Sequence, residues 1–136
     1  MTTLVQARDA IVAHIHAQLQ AVLPTLPVFY ENTMTVDVNT VGDQFLQVNV
    51  DFEDTALATF SADLVDHVTG YIGFRLFAKE GTGTRANLEI FDLLNAAMRH
   101  RTLGAVITGS CGPGRKDQRD GWLSMDLGVP FEYFTG

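Results

Sequence analysis

Residues 74–98 read FRLFAKEGTGTRANLEIFDLLNAAM, and a change of period inside this stretch decides the fold. Before the glycines, Ile72, Phe74, Leu76 and Ala78 stand at every second position, the repeat of a strand with one buried face. Beyond Gly81 and Gly83, Ile90, Phe91, Leu94, Ala97 and Met98 recur at steps of three and four, the repeat of a helix with one apolar side. Thr84 stands where its hydroxyl can accept from the first free amides of that helix. The unit is a strand, a tight turn and a helix.

On the N-terminal side, residues 3–23 predict another helix. Thr3 and Gln6 have the spacing of a reciprocal cap, Leu4, Ile11, Ile15, Leu19 and Val22 form its stripe, and Pro24 and Pro27 end it. Short extended pieces are expected at 28–31 and 34–38. From Gln44 the alternation Leu46, Val48, Val50, Phe52 against Gln47, Asn49, Asp51 is that of a strand with one polar face, continuing after a bend through 55–61. The run 63–79 follows after a short link, with Gly70 as a candidate bulge, and predicts an antiparallel pair. On the C-terminal side, 103–111 is expected as one strand, 112–114 as the start of a turn and Arg115–Gly121 as a polar loop. Residues 122–134 return as a strand with Leu123, Met125, Leu127, Val129, Phe131 and Tyr133 on one parity. The expected architecture is an α+β single domain over 1–136, with a largely antiparallel or mixed sheet covered on one face by two helices.

Composition narrows the class. A chain of 136 residues is long enough for one proper core. No apolar run approaches the roughly 18–20 residues of a membrane helix, and the start MTTLVQARDAIVAH lacks the pattern of a signal peptide. One cysteine, Cys111, excludes an intrachain disulfide and a multi-cysteine zinc site, and suits a reducing cytoplasm. The net charge of −7 argues against general nucleic-acid binding. It is unevenly spread: residues 1–74 hold nine acids and one base, residues 75–136 seven acids and eight bases. Solubility alone accounts for such an imbalance; the sharper reading is two surfaces of unlike charge facing different neighbours.

No catalytic pattern emerges. His14 and His16 are two apart on a helix and face different ways, so they suit helix-surface positions rather than one metal. The turn Gly81-Thr82-Gly83-Thr84 precedes a helix but lacks the lysine of a phosphate loop, Arg85 following instead. Ser61, Asp63 and His67 have no triad signature, Ser110 has no nearby base in sequence, and Glu53 and Asp54 are ordinary solvated acids at a strand end. No cofactor and no metal are expected. Two features stand above background. The solvent parity of the 71–79 strand, Tyr71, Gly73, Arg75, Phe77 and Lys79, mixes aromatic and cationic side chains, the types enriched at protein contacts. Leu88 and Leu93 lie off the main stripe of the second helix. Candidate contact residues are therefore Tyr71, Arg75 and Phe77, joined by Arg115, Lys116 and Arg119 of the polar loop, a mobile hairpin tip suited to ordering against a partner.

Several segments follow one another in a telling order: the leading amphipathic helix, Val28-Phe29-Tyr30-Glu31-Asn32, the run ending Phe77-Ala78-Lys79-Glu80-Gly81-Thr82-Gly83-Thr84, the helix 86–100, and a closing strand from Gly121-Trp122 to Val129-Pro130-Phe131-Glu132-Tyr133. In this order of segments the chain resembles the phage tail terminators of the lambda type. Residues 51–68 match no part of that pattern. The resemblance implies a non-enzymatic virion protein that forms a six-membered ring on the head-proximal end of the tail tube. Its partners would be further copies of itself, the tube protein and a head-completion protein, with DNA passing through but not specifically bound, and no membrane. Another neck protein, or a small ligand-binding or enzymatic domain, are the alternatives.

Overall fold

The computed structural model describes residues 2–30, 42–58, 64–79, 81, 85–119 and 121–135. Among these, two helices pack on one face of a mixed seven-stranded sheet. The expected 34–38 strand, Thr84 as a cap, and Ser61 and Asp63 lie outside the described residues.

Helix α1 (Leu4–Val22) starts as its sequence dictates: the Gln6 amide donates to Thr3 Oγ1 at 3.1 Å and the Thr3 amide to Gln6 Oε1 at 3.0 Å. Its buried residues are Ala7, Ile11, Ile15 and Leu19, a strict four-residue step. Leu4 and Val22, expected in the stripe, are exposed. Strand β1 (Val28–Tyr30) then pairs parallel to β2 (Gln44–Leu57), which makes the sheet mixed.

Strands β2 and β3 (Asp66–Lys79) form the expected antiparallel pair. The bulge lies on β2 between Phe52 and Asp54, and not at Gly70. Gly70 has a different task. A Cβ there would lie 2.3 Å from Phe131 Cζ and 2.4 Å from the Asp51 carbonyl oxygen. The missing side chain lets the Phe131 ring cross β3 and meet Phe52 edge-on, centroids 5.6 Å apart.

Helix α2 (Arg85–Met98) buries Ile90, Phe91, Leu94 and Met98, as its period requires, together with Asn87. Asn87 Oδ1 accepts from Gln44 Nε2 at 2.9 Å, which ties the first turn of α2 to the start of β2. The far end is closed by a buried hydroxyl. Thr108 Oγ1 donates to the Met98 carbonyl and accepts from the Arg101 amide at 2.8 Å. Thr108→Val removes both bonds inside a dry site, so about 1–3 kcal/mol of stability should be lost. A thermal melt checks this; an unchanged midpoint would mean that the helix end is satisfied otherwise.

The expected strand 103–111 is instead a small hairpin. β4 (Thr102–Leu103) and β5 (Val106–Thr108) pair across a two-residue turn in which Gly104 takes φ +65. The expected turn and loop at 112–121 are corrected too. Gly112–Arg119 is strand β6, antiparallel to β7 (Trp122–Phe134), so the chain reverses only between Arg119 and Trp122, with Gly121 at φ +82. Its polar composition hides the strand, because an edge strand needs no apolar face when its partner's backbone sets the register. The sheet order is β1-β2-β3-β7-β5-β4, with β6 on the same edge of β7 as β5. The inward parity of β7 is buried from Met125 to Tyr133, and Leu123 is half-buried against the core.

Candidate functional site

The helices cover the face formed by Leu46, Val48, Ile72, Phe74, Leu127 and Val129, so the opposite face of the sheet is where the chain can meet something else. No described element lies across that face. It is not uniform, and strand register divides it into three zones.

The zone nearest the α2 entry is an aromatic cluster. Phe45 stacks on Phe77 with centroids 4.6 Å apart, and Trp122 and Phe29 meet Phe45 edge-on at 5.3 and 5.9 Å. Phe45, although on the outer parity, is thereby buried. Register places these rings together, since Phe45 opposes Phe77 and Lys79 opposes Trp122. Beside them Arg75 donates from Nε and Nη2 to the two carboxylate oxygens of Asp126 at 2.8 and 3.2 Å. That bond raises the guanidinium pKa further above its ordinary value.

The middle zone carries few side chains. Gly73 opposes Gly128, which opposes Gly112, so three strands in succession present bare backbone. The Tyr71 ring leans into this band, its Cε1 2.6 Å from where a Gly128 Cβ would stand. The third zone holds Tyr71, Pro130, Ile107 and Phe134, with Tyr71, Ile107 and Phe134 each more than two-fifths exposed. His67 stacks on Phe134 and its Nε2 lies 2.8 Å from Glu132 Oε2. A recess of about 310 Å³ opens here between Glu53, Thr69, Tyr71, Ile107, Pro130 and Glu132.

The expected contact residues are therefore not one site. Tyr71 lies on the open zone. Phe77 is half-buried inside the chain's own aromatic cluster, and Arg75 is held by Asp126. Arg115, Lys116 and Arg119 stand on β6, a paired edge strand and not a mobile loop; Arg115 and Lys116 are exposed. Ile107, Phe134 and Glu132 were not expected, because their meeting depends on β5 and β3 both pairing with β7. On the helix layer, Leu88 and Leu93 are exposed, and Leu93 joins Val22 at the rim of a shallow groove between the helices.

The candidate reactive groups divide. His14 Nε2 lies 2.9 Å from the Ala97 carbonyl oxygen, linking the two helices, while His16 is exposed. Ser110 Oγ does have a base in space, His100 Nε2 at 3.0 Å, which the sequence separates by ten residues. Both are exposed to water. The Cys111 thiol is half-buried outside the strands, and burial raises its pKa against a smaller lowering by Arg99, which disfavours the thiolate. Among the described residues no group of three His, Cys, Asp or Glu side chains could hold a metal ion, and no helix is long and apolar enough to cross a membrane.

Against known proteins, no family model matches the chain and no curated protein matches it. The fold recurs: 23 solved chains match. One of them superposes with a TM-score of 0.67 at 18% identity, over 93% of this chain and 94% of that one. The likeness is one of fold.

Proposed function

We propose that this protein is a structural subunit that caps the head-proximal end of a phage tail tube, as a tail terminator does, and presents the surface to which the filled head attaches. The proposal includes a closed ring of copies, six on the pattern of the resemblance, and no catalysis by the chain. The observation that carries it is the open zone of the outer sheet face. Tyr71, Ile107 and Phe134 are exposed at one end of the outer sheet face, Tyr71 opposite Pro130 and Ile107 opposite Glu132, with no described segment of their own chain above them. Exposed apolar side chains grouped in this way are suited to burial against another molecule. The order of sequence segments, from the leading helix through residues 77–84 to the closing strand, supports the terminator reading among assembly proteins. The disfavoured Cys111 thiolate counts against a thiol nucleophile. An acidic chain lining a channel would repel DNA phosphate and let it pass.

Purified tail tubes test the proposal. Added protein should arrest lengthening, and electron microscopy should show new density at the head-proximal end of each tube. Tubes that keep lengthening, with bare ends, would sink the terminator reading. Density on the head's neck and none on tubes would move the protein to a head-closure role.

A further inference from the structure

The open zone is rimmed by one sign of charge. Asp51, Glu53 and Asp54 are exposed on β2, and Glu132 is half-exposed on β7. Among the described strand residues at this end of the sheet the basic group is His67, which Glu132 already holds. The opposite edge of the sheet has the other sign: β6 carries Arg115, Lys116 and Arg119 against Asp117. We propose that the acidic end of β2, with the recess beside Glu53 and Tyr71, receives the basic β6 edge of a second copy of this chain. The inference deepens the ring reading above and rests on it, because it names the two patches that a head-to-tail contact requires.

Strand direction favours this occupant. β2 is antiparallel to β3, β3 to β7 and β7 to β6, so β2 and β6 run in opposite senses within one subunit. Two copies set side by side in the same orientation therefore bring β6 of one antiparallel to β2 of the other. Register adds a stagger. β6 lies level with the first half of β2, since Gly112 opposes Gly128, Gly128 opposes Gly73, and Gly73 opposes Asn49. That half of β2 is already paired by β1 at Leu46–Val48. The acids lie beyond it, so the second copy must be offset along the strands. An offset between successive neighbours is the geometry by which strands close round an axis. The charges fix partner and direction.

Two charge-reversed proteins test it. The acid block carries Asp51→Lys and Glu53→Lys; the basic block carries Arg115→Glu and Lys116→Glu. All four positions are exposed, and melts confirm that each variant folds. Sedimentation at millimolar concentration should show self-association of the wild type and a loss of more than about tenfold in either variant alone, where like charges meet. An equimolar mixture should recover association in strict alternation, since each variant then meets an opposite charge on both sides. A wild type that stays monomeric, a variant that associates like wild type, or a mixture that does not recover overturns the proposal. Tube capping by the wild type, measured separately, decides the terminator reading whichever way the mixing falls.

Discussion

Phe91→Ala should cost about 3–5 kcal/mol, the usual range for emptying a buried aromatic site. Phe91 is buried on α2 in the cluster that includes Ile90, Leu94, Met98 and the inner side chains of β3 and β7. Two layers meet there, and neither the helix nor the strands can shift far enough to refill a ring-sized void. A domain of this length has only about 5–15 kcal/mol in total, so the loss is a large fraction of its stability. Urea unfolding should show a lower midpoint at unchanged slope. An unaltered midpoint would place the wrong face of α2 against the sheet.

Gly70→Ala should also destabilise strongly, by about 1–3 kcal/mol, although it adds one methyl group. The new carbon would meet both the Phe131 ring and the Asp51 carbonyl oxygen well inside contact distance. The ring can swing away. The carbonyl cannot, because it belongs to β2 next to the bulge at Phe52/Asp54. A cycle with Phe131→Leu therefore separates the two causes. The double variant should recover part of the loss, through the ring, and retain the rest, through the backbone. Full recovery would remove the backbone from the account, and additive losses would remove the ring.

Much of the fold was legible because most of its elements bury one face and so repeat with a clear period. Leu46 to Phe52, Ile72 to Ala78, Ile90 to Met98 and Met125 to Tyr133 all point inward as their spacing requires, and the Thr3–Gln6 cap forms as read. What the sequence hid was set by partners and not by period. β6 reads as a loop because GPGRKDQR has no apolar alternation, yet β7's backbone makes it a strand. The β4–β5 hairpin is too short to show a repeat. Phe45 has the parity of a solvent residue but is buried by Phe77, Phe29 and Trp122, a cluster that only cross-strand register assembles. For the same reason the candidate surface was half legible. Tyr71 was in view, whereas Ile107, Glu132 and Phe134 come from segments far apart in the chain.

The place of β7 in the sheet also governs how the molecule can be made. It is the last of the described elements in chain order, yet it sits in the interior, flanked by β3 on one side and by β5 and β6 on the other. Three strands made earlier wait for it: β3 has its second partner, and β5 and β6 their place in the sheet, only when 122–134 arrive. A nascent chain halted before that point holds the β2–β3 hairpin and two amphipathic helices whose apolar faces lack the inner side chains of β7. Such a chain has no stable stopping place on the ribosome, and its long-range pairings make it slow to close and open to aggregation until the final strand docks. The β6 edge and the acidic end of β2 are held in one sheet only after that strand joins them, so a contact that needs both would wait until translation has passed β7.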